Sequence, residues 1–504
     1  MPVNDTLTIT LGALDYAFAL AAPVQAVKKP DSGEIQKIGS AQRRDDQLDA
    51  PWSIQNLTGI GVAKAWLAEQ DSLAFEMSNM DAWPGMICLG PLANTPTDIT
   101  LTHRITGFAE AIGNLFYFAD TVESTSAESV AYFVGSTTTW TNATLVADMN
   151  TVVAATGFPV RGMVSHTGLT ATAGTPGIGI EAAYALRATE FESGTDEYQL
   201  AWTTNNTTWN IINHATTGQT PSGVLNQAAY GLESLDGTLY CLTQSAAGAL
   251  ITLRQSTNDG LYWTSSTGGT LNSVSTPRAI KKWRNASGTL QIYVFLQEGI
   301  YRYTGSAFVQ EVDFRGDLSS NNGLFPQIWR INGIDTELLV VPQGQKLWGF
   351  AWRDDGNLRP IDLSVPIHIM PTFRQGRILA LATTSEFLWM AVGGEDASHT
   401  AGIFKMNRDR QWFGPLYDVA TANRQVRAMY GSSQNDNVHR LHFSVDNGTA
   451  SDTNPMNLAN IDTDPRYVTS YLHAAAGDII LPKNSRYFDE LTGRWRYVEI
   501  LGTS

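Results

Sequence analysis

The chain has 504 residues, 43% hydrophobic and only 16% charged, with 44 glycines and 14 tryptophans. That mixture argues against extensive disorder and against long helices, and it suits short strands joined by tight turns. Its 33 basic and 48 acidic residues leave a net charge of −15, which disfavours sequence-specific nucleic-acid binding yet permits a passive conduit for DNA.

Residues 1–100 are read as an N-terminal arm with a few short strands. Segment 11–26 is Ala-rich, but no basic residue precedes it, Asp5 does, and Asp15 interrupts it; an arm is favoured over a secretory leader. Segments 28–33 and 42–46 are charged, turn-rich and expected to be exposed. Strands are predicted at 73–77 and at 86–89. No apolar run nears the ~18 residues that spanning a bilayer needs, so membrane insertion is not expected. Cys88 and Cys241 stand far apart and offer no disulfide or metal pattern.

From 101 to 470 the chain repeats. Five apolar strands begin at Leu239, Gln291, Glu337, Phe387 and Arg440, at intervals of 52, 46, 50 and 53 residues. Each follows an extended segment and a turn signal, such as Asp236-Gly237 or Asn332-Gly333, which makes a hairpin. A third strand succeeds each of the first four, at 250–254, 299–303, 346–350 and 402–406. A polar turn and a fourth segment follow, opening on Trp263, Phe308, Leu358 and Trp412. Further upstream, 114–118, 131–134 with Trp140, and 198–202 with Trp209 suit two longer, less regular units. Four antiparallel strands in a repeat of about 50 residues predict an all-β fold, a β-propeller of about seven blades, with six to eight in range. Residues 471–504 carry strand-like segments at 478–481 and 495–500, expected to pair with the N-terminal region.

Ser256, Asn258, Gly260 and Trp263 form the one local motif. It resembles the Asp-box, Ser-x-Asp-x-Gly-x-Thr-Trp, with Asn258 and Tyr262 departing from the pattern, and it lies between third and fourth strands, as in sialidase-like propellers. The expected role is structural: a polar cap, a strained glycine and a tryptophan packing back. His103-Arg104-Ile105-Thr106 lacks the aromatic and the proline of the sialidase arginine motif. His439 and His442 have the spacing of a helical metal pair, but a strand would turn them to opposite faces, leaving a half-exposed pair. The other histidines are scattered. Asp452, Asp462 and Asp464 match no calcium-loop pattern, and 174–179 is a Gly-rich turn without a phosphate-loop lysine. No catalytic, cofactor or metal residues are predicted.

The whole resembles virion proteins of tailed bacteriophages that place a propeller in the tail, of the hub or nozzle type. The likeness is carried by the irregular arm with 51–54 and 58–62, the degenerate blades, and strands around 467–471 and 495–498. It implies a non-enzymatic ring subunit in the virion, in contact with other tail proteins and with copies of itself around a DNA channel, with no cofactor. Negative charge would then concentrate on the channel side of the assembled ring. The alternatives are a glycan-binding or glycan-cleaving propeller, secreted or displayed on a virion, and a monomeric protein-interaction propeller.

Overall fold

The computed structural model describes residues 6–11, 14–19, 76–83, 86–96, 104–119, 130–143 except 136–137, 160–187 except 173, 199–212, 227–272 except 246–249, 276–314, 325–365, 376–447 except 420 and 434–435, 455–468, 474, 478–480, 488–489 and 494–495. Seven four-stranded antiparallel sheets form a seven-bladed β-propeller. In chain order, inner strand to outer, blade 1 comprises Ile105–Ala111, Asn114–Ala119, Val130–Val134 and Thr139–Asn142. Blade 2 comprises Val160–Thr167, Glu181–Arg187, Gln199–Thr203 and Asn210–Ile212. Blade 3 comprises Gln227–Leu235, Thr238–Ser245, Leu250–Ser256 and Thr264–Asn272, and blade 4 Pro277–Arg284, Leu290–Leu296, Gly299–Tyr303 and Phe308–Asp313. Blade 5 comprises Gln327–Trp329, Leu338–Gln343, Lys346–Trp352 and Leu358–Asp362, and blade 6 Ile378–Thr383, Phe387–Val392, Ala401–Asn407 and Trp412–Val419.

Blade 7 is assembled from both ends of the ring. Gln425–Ser432, Arg440–Asp446 and Met456–Ala459 supply three strands, and Ala93–Asn94 adds the outermost one, with Leu458 opposite Ala93. Inner strands neighbour one another around the axis, and Gln425–Ser432 of blade 7 lies against Ile105–Ala111 of blade 1. The ring is thus closed by a strand that precedes blade 1 in sequence.

The apolar runs are second strands. Both faces of such a strand are covered by neighbouring blades, so it reads as a continuous hydrophobic stretch rather than an alternating one. Every residue of Phe387–Val392 and of Arg440–Asp446 is buried. Alternation then assigns each side chain to a seam. Leu339 and Val341 pack with Trp283, Tyr293 and Phe295 of blade 4, whereas Leu338 and Val340 pack with Leu388 and Met390 of blade 6. Seven separate apolar clusters result, one at each seam between adjacent blades. Two-residue turns fold the inner hairpins of blades 1 and 3: in blade 3, Asp236 (φ 48°) and Gly237 (φ 72°) take the paired positive angles that a tight hairpin requires.

Outside blade 6, the hairpin Met80–Trp83 with Met86–Leu89 is tied on by Asn79, whose N–H donates to Pro415 O at 2.7 Å and whose Oδ1 accepts from Asp418 N–H at 3.0 Å. Glu76–Ser78 pairs antiparallel with Asp478–Ile480. Of the predicted strand at 73–77, only Glu76 and Met77 lie among the described residues, and of that at 495–500 only Trp495 does. Segments 28–33, 42–46, 51–54 and 58–62 lie outside them. The strand expected around 467–471 is corrected at its start: Pro465–Tyr467 is a 3₁₀ turn, consistent with the φ that proline imposes, and 469–471 lie outside the described residues.

Candidate functional site

The turn Ser256–Trp263 joins the third and fourth strands of blade 3. Ser256 Oγ donates to Asn258 Oδ1 at 2.8 Å and accepts from Gly260 N–H at 2.9 Å. Asn258 Oδ1 also accepts from Tyr262 N–H at 3.0 Å. Gly260 sits at φ +87°, and a Cβ there would come within 2.3 Å of Leu200 Cδ2 in blade 2. The backbone conformation and the space both call for glycine. Trp263 is buried in the seam between blades 2 and 3.

The residue that the motif skips, Asp259, makes the strongest contacts. It is fully buried at φ 58°. Its carboxylate accepts from Leu169 N–H (2.9 Å), Thr170 N–H (3.0 Å) and Thr170 Oγ (2.6 Å), all on the loop that ends the inner strand of blade 2. Oδ1 also lies 3.2 Å from Nε2 of buried His166, whose Nδ1 is 2.9 Å from Ser234 Oγ. Burial pushes the Asp259 carboxyl up, but the bonds from Thr170, Leu169 and His166 outweigh it and hold the group below the ordinary carboxylate range. Burial lowers His166 despite the carboxylate beside it, so at neutral pH the ring is uncharged. The Nε2–H tautomer, donating to Asp259 and accepting the Ser234 hydroxyl on Nδ1, satisfies all three groups.

The same device recurs at two other seams, each time carrying an acidic side chain from the turn after the third strand of one blade to the first turn of the preceding blade. Asp462 of blade 7 accepts from Thr384 Oγ (2.6 Å), Ser385 N–H (3.1 Å) and Ser385 Oγ (2.7 Å) of blade 6, and lies 3.1 Å from His439 Nδ1. Asp409 of blade 6 accepts from Asn332 Nδ2 of blade 5 at 2.7 Å. The repeating tryptophans act alongside: Trp209 Nε1 donates to Ala143 O and Trp412 Nε1 to Leu363 O, each at 2.7 Å and each across a seam to the end of the preceding outer strand. On blade 6, buried Lys405 Nζ lies 2.5 Å from Asp81 of the N-terminal hairpin, 4.5 Å from the Trp83 ring centre and 4.3 Å from that of Phe387.

The inner strands carry a second recurring feature. In six blades the ladder slips near the start of the inner strand: between Ile105 and Gly107, Val160 and Gly162, Ala229 and Gly231, Pro277 and Ala279, Ile378 and Ala380, and Val426 and Met429. Such bulges take a residue out of the ladder and re-aim its side chain. Three of the displaced residues are Arg161, Arg278 and Arg427.

His439 and His442 do not meet. His439 is part-exposed beside Asp462, while His442 is buried, correcting the expectation of a half-exposed pair. Its ring packs against Phe133 (4.7 Å), Trp140 (5.6 Å) and Phe108 (6.5 Å) of blade 1, because strand Arg440–Asp446 is enclosed on both faces. Burial, with Arg440 adding repulsion, pushes His442 down to about 3. Arg440 is engaged with Asp436 through two bonds of 2.6 and 2.7 Å. Gly174, Gly177 and Gly179 all take positive φ in the long loop of blade 2, and Trp202 Nε1 donates to Gly174 O at 2.9 Å. Arg104 directly precedes the inner strand of blade 1; His103 and Asp452 lie outside the described residues. Among the described residues, no group of three or more His, Cys, Asp or Glu is placed to hold a metal ion, and both cysteines are buried and outside any disulfide. Sequence reasoning missed Asp259, His166 and the Lys405–Asp81 pair. For Asp259 a signal was at hand, an acidic residue at the tip of the one recognised turn.

No family model matches the chain, and no curated protein matches it. Among solved structures, a candidate exo-beta-1,3-galactanase from Bifidobacterium bifidum shares 9% identity at a TM-score of 0.27, covering 63% of this chain and 91% of its own. A chain from the BBS1N–ARL6DN complex shares 10% at 0.37, covering 76% and 97%. A Lactobacillus plantarum protein shares 13% at 0.32, covering 51% and 73%. None of the three is a tail protein, and likenesses at these scores carry no argument about function.

Proposed function

We propose that this propeller is a non-enzymatic structural and interaction protein, a ring subunit in the tail of a bacteriophage virion that contacts neighbouring tail proteins. One observation carries the reading. Asp259 and Lys405, both buried, are engaged across a blade seam and with the N-terminal hairpin: Asp259 with His166 and the blade 2 loop, Lys405 with Asp81. Side chains spent in this way rigidify a ring, a requirement for a subunit that must keep its shape under load. The net charge of −15 supports passage of DNA without adhesion. Immunogold electron microscopy of purified particles tests the proposal. Gold at the tail is the expected result, and absence of the chain from particles contradicts it.

A further inference from the structure

The two faces of each inner strand are covered by neighbouring blades, so a side chain on it that reaches solvent does so through the axis of the propeller or its mouths. The charge there runs against that of the chain. Inner strands carry Arg161, Arg278, Lys281, Lys282, Arg284 and Arg427 but only two acidic residues, Glu110 and Glu233, in a protein of net charge −15. Both acids are engaged: Glu233 lies 3.4 Å from Lys282 Nζ, and Glu110 accepts a hydrogen bond from Ser432 Oγ. Arg427 lies 3.5 Å from Asp446, and Arg284 3.9 Å from Glu337.

That leaves an arc over blades 2 to 4. Arg161 is exposed and Arg278 half-buried, and both are bulge residues at the start of their strands, with Tyr230, the bulge residue of blade 3, between them. Lys281 follows on the same strand as Arg278 and is half-buried. Lys281 has the Glu233 carboxylate acting on it, whereas among the described residues neither Arg161 nor Arg278 has a carboxylate partner, and Arg278 Nε is buried with no acceptor. Burial lowers both Arg278 and Lys281 from their ordinary values. Withdrawing the Arg278 cation from water without a counter-charge is costly, and an anion in the channel would offset it.

We infer that the axial channel of the propeller binds an oxyanion, a carboxylate or phosphate group, held by the Arg161 and Arg278 side chains at the mouth where the inner strands begin. A planar guanidinium offers the paired donors that such groups accept. This inference is independent of the virion reading.

Isothermal titration of the full chain at fixed ionic strength, with citrate, tripolyphosphate and a hexaglutamate peptide as probes, tests it. At least one probe should bind saturably. Arg278→Gln should weaken that binding by about tenfold and Arg161→Gln by about threefold. Arg359→Gln, on the outer strand of blade 5, should leave it unchanged. Stronger binding of the small anions assigns a free small-molecule oxyanion; stronger binding of the peptide assigns an acidic segment of a partner protein. Should Arg278→Gln not fold, Arg161→Gln, whose side chain is exposed, decides the matter. The inference is overturned if no probe saturates, if Arg161→Gln binds like the native chain, or if Arg359→Gln weakens binding as much.

Discussion

Trp209 and Trp412 occupy one position of the repeat, the start of a fourth segment, and each hands its indole proton to a carbonyl of the preceding blade. Trp412→Phe keeps most of the apolar area but orphans the Leu363 carbonyl, and we expect a loss of about 1–2 kcal/mol in urea unfolding. His442 supplies a pH effect of definite sign. Its folded-state value, about 3, lies below the ordinary 6.5, so between these limits the unfolded chain binds a proton that the native chain refuses. Its contribution to stability is therefore intact above pH 6.5 and drains away as the pH falls towards 3. At pH 4.5 that loss amounts to about 2–3 kcal/mol. His442→Phe, placed among three aromatic rings, should flatten the stability profile between pH 7 and 4.5; an unchanged slope would show that the ring is not the source. The tryptophans were legible in the sequence because they recur. Asp259 stood at the tip of the recognised turn, but its pairing with His166 was not legible, because the two lie 93 residues apart.

Strands differ in how openly the sequence declares them. Second strands stand out because enclosure on both faces demands an unbroken apolar run, as in Phe387–Val392. Inner-strand bulges leave no such trace, since the displaced residue is a Thr in one blade, an Arg in another and a Leu in a third. The outer strand of blade 7 was hidden for a topological reason: two residues, Ala93–Asn94, complete a sheet whose other strands lie more than 300 positions on. Two substitutions probe these elements. Gly260→Ala forces a side chain into a positive-φ site against Leu200, and about 1–3 kcal/mol of destabilisation is expected by differential scanning calorimetry. Lys405→Met strands Asp81 as a buried uncompensated charge and should cost about 3–5 kcal/mol; the double variant with Asp81→Leu should recover most of it. A double variant as unstable as the single one would show that the pair is not what holds the hairpin.

At the scale of the molecule, closure by a strand from before blade 1 makes the ring a single cooperative object rather than a row of independent blades. Deleting 76–95 removes that strand and the hairpin on blade 6 together. The expected outcome is a broadened, multi-step thermal transition in place of one sharp unfolding. The repeat brought the blade count to six to eight, while the seam clamps, formed between turns of different blades, became visible only once the blades were placed side by side. The central claim is that this rigid block serves assembly. Native mass spectrometry of the purified chain addresses it most directly: the account predicts a closed ring of several copies, and a stable monomer of 54.9 kDa at all working concentrations would contradict it.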